Sequence, residues 1–315
     1  MQKHFAGFDV GGTKTLALVL SEHGETLHEQ RVSRPRGPDQ TIEQLCDLVQ
    51  QLQTAARVVV DAVGVGIAGA ISRTGSVQFS PNIAELVDFP LQDLLQRSLG
   101  LPTVVDNDAT AATWAEYQLG AGRGVEDLLY VSLGTGIGTG MVLNGRMYRG
   151  AHGFAGEAGH MVIDRRGEPH VSGVRGPWEM YASGNGLGSL ARAWARRGDL
   201  PTVKSMVDDV QSIRGEHVAA AIASASSDAL ALLDTFAANV AVGMTNLIYV
   251  LDPARIVLGG GLVELGDPLR VRVQYWVDET TLGGVFRPSV PVVLAELGAR
   301  SGALGAAMLA SHLLD

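Results

Sequence analysis

A carboxylate beside a glycine turn stands near the start of the chain. In the segment FDVGGTKT, Asp9 ends a short apolar run, and two glycines, Gly11 and Gly12, follow it. Glycines let backbone amides approach a phosphate closely and threonine hydroxyls add donors, whereas a carboxylate repels phosphate. A hydrated Mg²⁺ removes this conflict, because it keeps water ligands and takes one or two carboxylates. The segment predicts a phosphate loop in which Asp9 binds Mg²⁺ through water.

Two further glycine runs occur later: LGTGIGTG begins at residue 133, and three consecutive glycines occupy 259–261. The two common phosphate motifs do not fit. A Walker loop needs a lysine directly after a glycine, but in GGTK a threonine separates them. A dinucleotide fingerprint opens a helix, whereas LGTGIGTG has threonine at the third glycine position and leads into a strand. We interpret 9–15 and 133–138 as paired phosphate loops, and ordinary hairpin turns are the alternative for either loop alone.

A polar cluster follows an apolar strand in VVDNDA, where Asp106, Asn107 and Asp108 are consecutive. Asp and Asn favour helix starts, so an N-terminal cap explains one or two of the three. A carboxylate near bound phosphate can also take a proton from an attacking hydroxyl, which typically contributes about 10²–10⁴-fold. We predict that Asp108 is this general base and assign no role to Asp106.

Strand and helix patterns place these residues at the ends of strands. β-branched runs predict strands that end near Asp9, Asp106 and Gly259, as in a sheet covered on both faces, and the opening pattern recurs from residue 127. The sequence therefore predicts an α/β protein of two lobes, 1–119 joined by the helix 299–315, and 120–298. Helical spacing predicts helices over 39–54, about 90–98, an alanine-rich stretch from 109, about 216–250, and 299–315.

Composition limits the class of protein. The chain has 315 residues, 46% of them hydrophobic, which is enough for a sizeable core. The single cysteine, Cys46, excludes a disulfide framework, and neither a secretory signal nor an apolar run of membrane-spanning length is evident. A net charge of −9 without a dense basic run disfavours nucleic acid. We expect a cytoplasmic protein with no nucleic-acid or membrane partner.

Together the motifs resemble the ROK family (repressors, open reading frames and kinases) of the sugar kinase and actin-like ATPase superfamily. The matching segments follow family order over nearly the whole chain: DVGGTKT, VVDNDATAATWAE, LGTGIGTG, GEAGH, WEMYASG and IVLGGG. The resemblance implies a two-lobed actin-like ATPase (ribonuclease H-like) fold with the active site in the interdomain cleft. It further implies a glucokinase-like enzyme of glycolysis that uses ATP and Mg²⁺ and forms a homodimer.

The resemblance also implies roles for individual residues. Asp108 is the base, Asn107 binds the sugar, and the sugar pocket comprises Asn82, Asn107, Asp108, Glu157, His160 and Glu179. ATP is held by Asp9, Gly11, Gly12, Thr13, Lys14, Thr15, Gly134, Thr135, Gly136, Gly138, Gly259, Gly260 and Gly261. Taken singly, each polar residue of this pocket could be an ordinary surface residue, and a lone glutamate in a loop usually is. As a set, buried polar groups reject sugar analogues that leave them unpaired.

The chain departs from the family where many ROK kinases bind structural zinc through a histidine and the cysteines of C-x-C-G-x-x-G-C-x-E. Here the stretch is HVSGVRGPWE, with His170, Ser172 and Pro177 at the cysteine positions. Proline has no ligand atom and serine is a poor zinc ligand, so His160 and His170 fall short of the usual four. We predict no structural zinc, and a loop held by packing around Trp178 and nearby prolines.

Alternatives remain open. N-acetylmannosamine, N-acetylglucosamine, mannose and fructose kinases share these motifs, although VQFSPNIAEL resembles the glucokinase form. Polyphosphate replaces ATP in some relatives, but no basic groove for a long polyanion is evident. A ROK regulator would need a helix-turn-helix before the phosphate loop, which starts at residue 9. A catalytically silent sugar-binding protein would not need Asp9, Asn107 and Asp108 together.

Overall fold

The structure is a computed structural model and describes residues 2–283 and 286–314. Runs of strands and runs of helices follow one another along the chain. The strands are β1 (His4–Val10), β2 (Lys14–Ser21), β3 (Thr26–Ser33), β4 (Ala62–Ile67), β5 (Ala70–Ile71), β6 (Val77–Phe79), β7 (Thr103–Asn107), β8 (Leu128–Leu133), β9 (Ile137–Leu143), β10 (Arg146–Met147), β11 (Arg255–Gly259) and β12 (Val292–Leu294).

The helices are α1 (Pro38–Ala56), α2 (Leu91–Leu99), α3 (Asp108–Leu119), α4 (Glu179–Ala182), α5 (Gly184–Arg197), α6 (Pro201–Lys204), α7 (Gly215–Ala223), α8 (Ser227–Leu251), α9 (Asp267–Thr280) and α10 (Ser301–Ser311). Short 3₁₀ helices cover Ala158–His160, Val210–Ser212, Gly261–Leu265 and Gly298–Arg300. This order of elements is the α/β class predicted from the sequence.

The chain divides into two compact units. The first comprises Met1–Glu126, Gly140–Gly156 and Glu296–Asp315, and the second comprises Asp127–Thr139 and Glu157–Ala295. Strand β9 carries the chain from the second unit into the first. The lobe boundaries drawn from the sequence remain a prediction.

The sheet of the first unit aligns its acidic residues. Its order is β3-β2-β1-β4-β7, and β1, β4 and β7 are parallel. In β4, Gly66 pairs with Asp9 of β1 on one side and with Asp106 of β7 on the other. Because the carboxyl ends of parallel strands meet at one edge of the sheet, the polar ends of β1 and β7 lie one strand apart.

Different side chains cover the two faces of this sheet. On one face, leucines of α1 and α2 such as Leu48 and Leu95 are fully buried in the larger apolar cluster. On the other, α10 lies directly on the strands: a Cβ on Gly7 would lie 2.1 Å from Ala303 O, and one on Gly64 would lie 1.8 Å from Ala306 O. Small residues on both sides therefore let α10 approach β1, which carries Asp9, and β4.

The second unit is organised around the long helix α8. Its strands β8, β11 and β12 are adjacent in that order and run parallel. Trp178 is fully buried, its Nε1–H donates to Asn239 O (3.0 Å), and a Cβ on Gly243 would lie 2.1 Å from its ring. Pro177 is also buried, whereas Pro169 is exposed, and the proposal that packing holds the loop before Trp178 remains a prediction.

Two predicted helices differ from the observed ones. The stretch 216–250 is two helices, because Ala225 adopts left-handed backbone (φ 56°) between α7 and α8. The final helix is shorter than 299–315: α10 covers Ser301–Ser311 after a 3₁₀ turn, and Asp315 lies outside the described residues.

The statement that no apolar run reaches membrane-spanning length is wrong for α8. Its 25 residues (Ser227–Leu251) pass by length and composition, with a mean hydropathy of 1.3 in the best window. Of that window, 61% is buried inside the protein, which is the pattern of a core helix.

Candidate active site

The first glycine turn is built in the first unit between β1 and β2. The Gly11 amide donates to Lys14 O (2.9 Å), and the Arg34 side chain and amide donate to Gly12 O and Thr13 O. Thr13 and Lys14 are exposed at the turn. Thr15 is not, because it lies buried in β2 with its hydroxyl toward Gln44 (3.4 Å). Of the predicted loop hydroxyls, only that of Thr13 lies at the surface of the turn.

Asn82 lies beside this turn. A Cβ on Gly12 would come within 2.9 Å of Asn82 O, so only glycine allows the two segments to approach this closely. Asn82 itself is exposed, on the loop that follows β6. The structure thus brings a predicted sugar-binding residue next to the predicted phosphate loop.

Asp9 and Asp108 form a pair of interacting carboxylates at the edge of this sheet. Burial, together with the negative charge of Asp108, raises the pKa of Asp9 to about 7, although Arg31 opposes the shift. Burial also raises the pKa of Asp108, while a hydrogen bond from the Ala109 amide to its Oδ1 (2.8 Å) acts in the opposite direction. A cation between such groups would favour their charged forms, and oxygen ligands are those that Mg²⁺ takes.

Asn107 caps α3, as the alternative reading of VVDNDA predicted. Its Oδ1 accepts from the amides of Ala109 (2.9 Å) and Thr110 (3.1 Å), and its Nδ2 donates to Gly69 O (3.1 Å). An amide nitrogen carries two hydrogens, so Nδ2 has one donor beyond the Gly69 bond. The cap fixes the direction of that donor and of the neighbouring Asp108.

The role of Asp106 was missed by the sequence. One carboxylate oxygen accepts from the Asn107 amide (2.8 Å), and the other accepts from Arg149 Nε (2.6 Å). Arg149 lies after β10, 43 residues away, and no local pattern marks it as a partner. The ion pair anchors the strand end from which Asn107 and Asp108 project.

The second glycine loop, 133–138, belongs to the second unit and is held by α4 and α5. Gly184, which opens α5, donates its amide to Gly134 O (2.7 Å), and the Ile137 amide donates to Glu179 Oε2 (3.3 Å). A Cβ on Gly136 would lie 2.6 Å from the same oxygen. Thr135 is exposed at the tip. A side chain at position 136 would therefore displace the Glu179 carboxylate from the loop.

The third glycine run lies beside the second loop. Gly259 ends β11, where a Cβ would meet the Tyr130 hydroxyl at 2.0 Å. Gly260 has a φ of 81°, and a Cβ there would lie 2.6 Å from the Leu133 backbone. Gly261 opens the 3₁₀ turn Gly261–Leu265. The structure therefore brings together two of the three predicted nucleotide-binding runs.

The predicted sugar residues of the second unit also lie near one another. His160 Nε2 is 3.7 Å from Glu157 Oε2, and His160 Nδ1 is 4.0 Å from Glu179 Oε1. Glu157 and His160 are about half exposed, whereas the Glu179 side chain is only 19% exposed. Glu179 is therefore the most buried side chain of this group.

His170 joins this group, which sequence reasoning did not expect. Its Nε2 lies 3.0 Å from Glu179 Oε1. Ligand atoms of His160, His170 and Glu179 lie within 4.8 Å of one another, a potential three-ligand metal site among the described residues. The sequence counted the two histidines but missed Glu179 as a third donor. The prediction of no structural zinc remains a prediction.

The chain belongs to the ROK family, whose sequence model matches residues 5–312, and it has the actin-like ATPase fold. Among its relatives, it is 35% identical to the glucokinase of Streptomyces coelicolor and 33% identical to the N-acetylmannosamine kinase of Yersinia pseudotuberculosis. Each match covers 96% of this chain and 96% of the relative. These comparisons support a sugar kinase.

A solved relative agrees in structure. The crystal structure of a ROK family glucokinase from Streptomyces griseus in complex with glucose and AMPPNP superposes with a TM-score of 0.86. The two chains are 33% identical, and the match covers 99% of this chain and 100% of the other.

Proposed function

We propose that the protein is an ATP-dependent hexose kinase that converts glucose to glucose 6-phosphate. The observation that carries this proposal is the pair Asp9 and Asp108, two interacting carboxylates at the edge of the sheet that also bears the turn 11–14. The full-length relationship to a glucokinase of Streptomyces coelicolor supports glucose as the acceptor.

In this proposal Asp108 is the general base. It accepts the proton of the primary hydroxyl as that oxygen forms a bond to the γ-phosphorus of ATP and the bond to the ADP oxygen breaks. Burial raises the pKa of Asp108, which makes its carboxylate a stronger base near neutral pH. The bond from the Ala109 amide holds one carboxylate oxygen in place. Much of the remaining acceleration comes from alignment and charge neutralisation.

The other residues bind and orient the sugar and ATP. The spare Nδ2 hydrogen of Asn107, with Asn82, Glu157, His160 and Glu179, pairs with sugar hydroxyls. The amides of the turns around Gly11 and Gly134 hold phosphate oxygens, with Gly259–Gly261 near the nucleoside. Asp9 holds Mg²⁺ through water, and Mg²⁺ neutralises phosphate charge when bound. We extend the proposal to a cytoplasmic homodimer in glycolysis, on family resemblance.

A second acceptor class is supported by the N-acetylmannosamine kinase of Yersinia pseudotuberculosis, which is 33% identical. The test is an ADP-release assay with ATP and Mg²⁺ across glucose, mannose, fructose, N-acetylglucosamine and N-acetylmannosamine, repeated with polyphosphate as donor and direct detection of sugar phosphate. We expect the highest kcat/KM with glucose and ATP. Higher kcat/KM with an N-acetylhexosamine would replace glucose as the acceptor, and no sugar-dependent ADP release would overturn the kinase proposal.

A further inference from the structure

The segment that carries zinc cysteines in many relatives is closed here by its own hydrogen bonds. The His170 amide donates to Val174 O (2.8 Å), the Gly173 amide donates to His170 O (2.9 Å), and Pro169 pairs with Arg175 as an isolated bridge. The segment is therefore a small hairpin that places the His170 ring against Glu179.

The bonding of the His170 ring assigns its tautomer. The Ser172 amide donates to Nδ1 (3.3 Å), and the Ser172 hydroxyl lies 2.9 Å from the same atom. Nδ1 is thus an acceptor, and in the neutral ring the hydrogen is on Nε2. The Nε2 atom lies 3.0 Å from Glu179 Oε1. The ring is 18% exposed, so the pair is largely shielded from water.

These residues fit a structural zinc ion poorly. Structural zinc sites have four protein ligands, mostly cysteine and histidine, and only three candidate ligands meet among the described residues. In the tautomer assigned above, His170 Nε2 carries a hydrogen and offers no lone pair to a metal. The other Glu179 oxygen accepts from the Ile137 amide of the glycine loop.

We propose that His170 is a positioning residue for Glu179. His170 Nε2–H and the Ile137 amide each hold one carboxylate oxygen. The Glu179 carboxylate therefore has a single orientation relative to the sugar and to the glycine loop. The inference rests on the proposed function, in which Glu179 binds the sugar.

The test compares steady-state kinetics of the full chain and its variants with the best sugar of the panel. His170→Ala removes the donor, and we expect the KM for sugar to rise about tenfold or more, with a smaller change in kcat, because a hydrogen bond to a charged group is lost. His170→Gln carries a donor near the position of Nε2 and should restore most of the KM. His170→Asn carries its donor near the position of Nδ1 and should not.

Val171→Ala is the matched control, since this side chain in the same hairpin is 97% exposed, and its KM should equal that of the wild type. Wild-type KM values in His170→Asn and His170→Ala would overturn the inference, as would stoichiometric zinc in protein prepared without chelator together with loss of sugar affinity on chelation. A wild type that phosphorylates no sugar would overturn the proposed function and this inference with it. An active wild type with insensitive His170 variants would overturn this inference alone.

Discussion

Gly302 of α10 lies directly against the side chain of Asp9. A Cβ on Gly302 would lie 2.8 Å from Asp9 Cγ and 3.0 Å from its Oδ2. The last helix of the chain thus fixes the rotamer of a residue near the first turn. Both residues belong to the first unit, so this contact positions the proposed Mg²⁺ ligand within one compact unit.

We therefore expect Gly302→Ala to impair catalysis more than stability. The new methyl group must displace the Asp9 carboxylate, and a misplacement of about 1 Å can cost about 10²-fold in rate. Alanine also favours a helix over glycine by about 1 kcal/mol, which offsets part of the overlap. Kinetics with varied ATP and Mg²⁺ should show a fall in kcat/KM for ATP.

Gly305→Ala is the contrasting variant in the same helix. A Cβ there would lie 1.7 Å from Ala111 O, a backbone atom, and not near Asp9. We expect it to lower the free energy of unfolding by about 1–3 kcal/mol, as overpacking does. A Gly302→Ala variant with unchanged ATP kinetics would show that Asp9 does not depend on this contact.

Asp9 should make stability depend on pH. Its pKa is about 7 in the folded protein and near 3.9 in an unfolded chain. Below about pH 4 the Asp9 carboxyl is protonated in both the folded protein and the unfolded chain, so no stability is lost there. As the pH rises to about 7, only the unfolded chain releases it, and stability falls by at most about 4 kcal/mol in total. Asp9→Asn removes the titratable carboxyl group and should therefore remove this dependence of stability on pH.

Urea unfolding of the wild type and of Asp9→Asn between pH 4.5 and pH 7.5 checks this expectation. The stability advantage of Asp9→Asn should grow with pH, and MgCl₂ should reduce it at the upper end, because a cation favours the charged carboxylate. A difference that stays constant with pH would mean that Asp9 titrates at its ordinary value.

Much of the local structure was predictable, because the signals are local. The predicted strands end near Asp9 and near Asn107, as β1 and β7 do, and the side chain of Asn107 caps α3 as its type suggests. The break between α7 and α8 was not, since the Ser-Ala-Ser segment 224–226 contains no glycine or proline to mark it.

The contacts that hold the candidate site were missed for a different reason. Arg149 and Asp106 are 43 residues apart, and Gly302 meets Asp9 only through the packing of α10. His170 stands at a zinc-ligand position of the family motif, and nothing in its sequence spacing indicates that Nε2 lies 3.0 Å from Glu179 Oε1. Residue type and spacing show which groups can do chemistry, whereas these supports depend on which surfaces the fold brings together.

Arg149→Met should destabilise the first unit. It leaves the Asp106 carboxylate, which is only 10% exposed, with the Asn107 amide as its remaining hydrogen-bond donor among the described residues. Since Arg149 is 31% exposed and water screens the pair, we expect a loss of about 1–3 kcal/mol in the free energy of unfolding. In a double-mutant cycle, adding Asp106→Asn to Arg149→Met should cost less than Asp106→Asn alone. Additive losses would show that the pair contributes nothing.

Asp108→Asn should lower kcat by about 10²–10⁴-fold without unfolding the protein, because asparagine keeps the shape and loses the base. The wild type should lose activity as the pH falls through the pKa of Asp108, which burial places above the ordinary aspartate value, and the acid limb of kcat should disappear in the variant. Asp93→Asn, an exposed carboxylate on α2, is the control and should behave as the wild type does. If Asp108→Asn retained near-normal turnover with the same acid limb, another group would be the base.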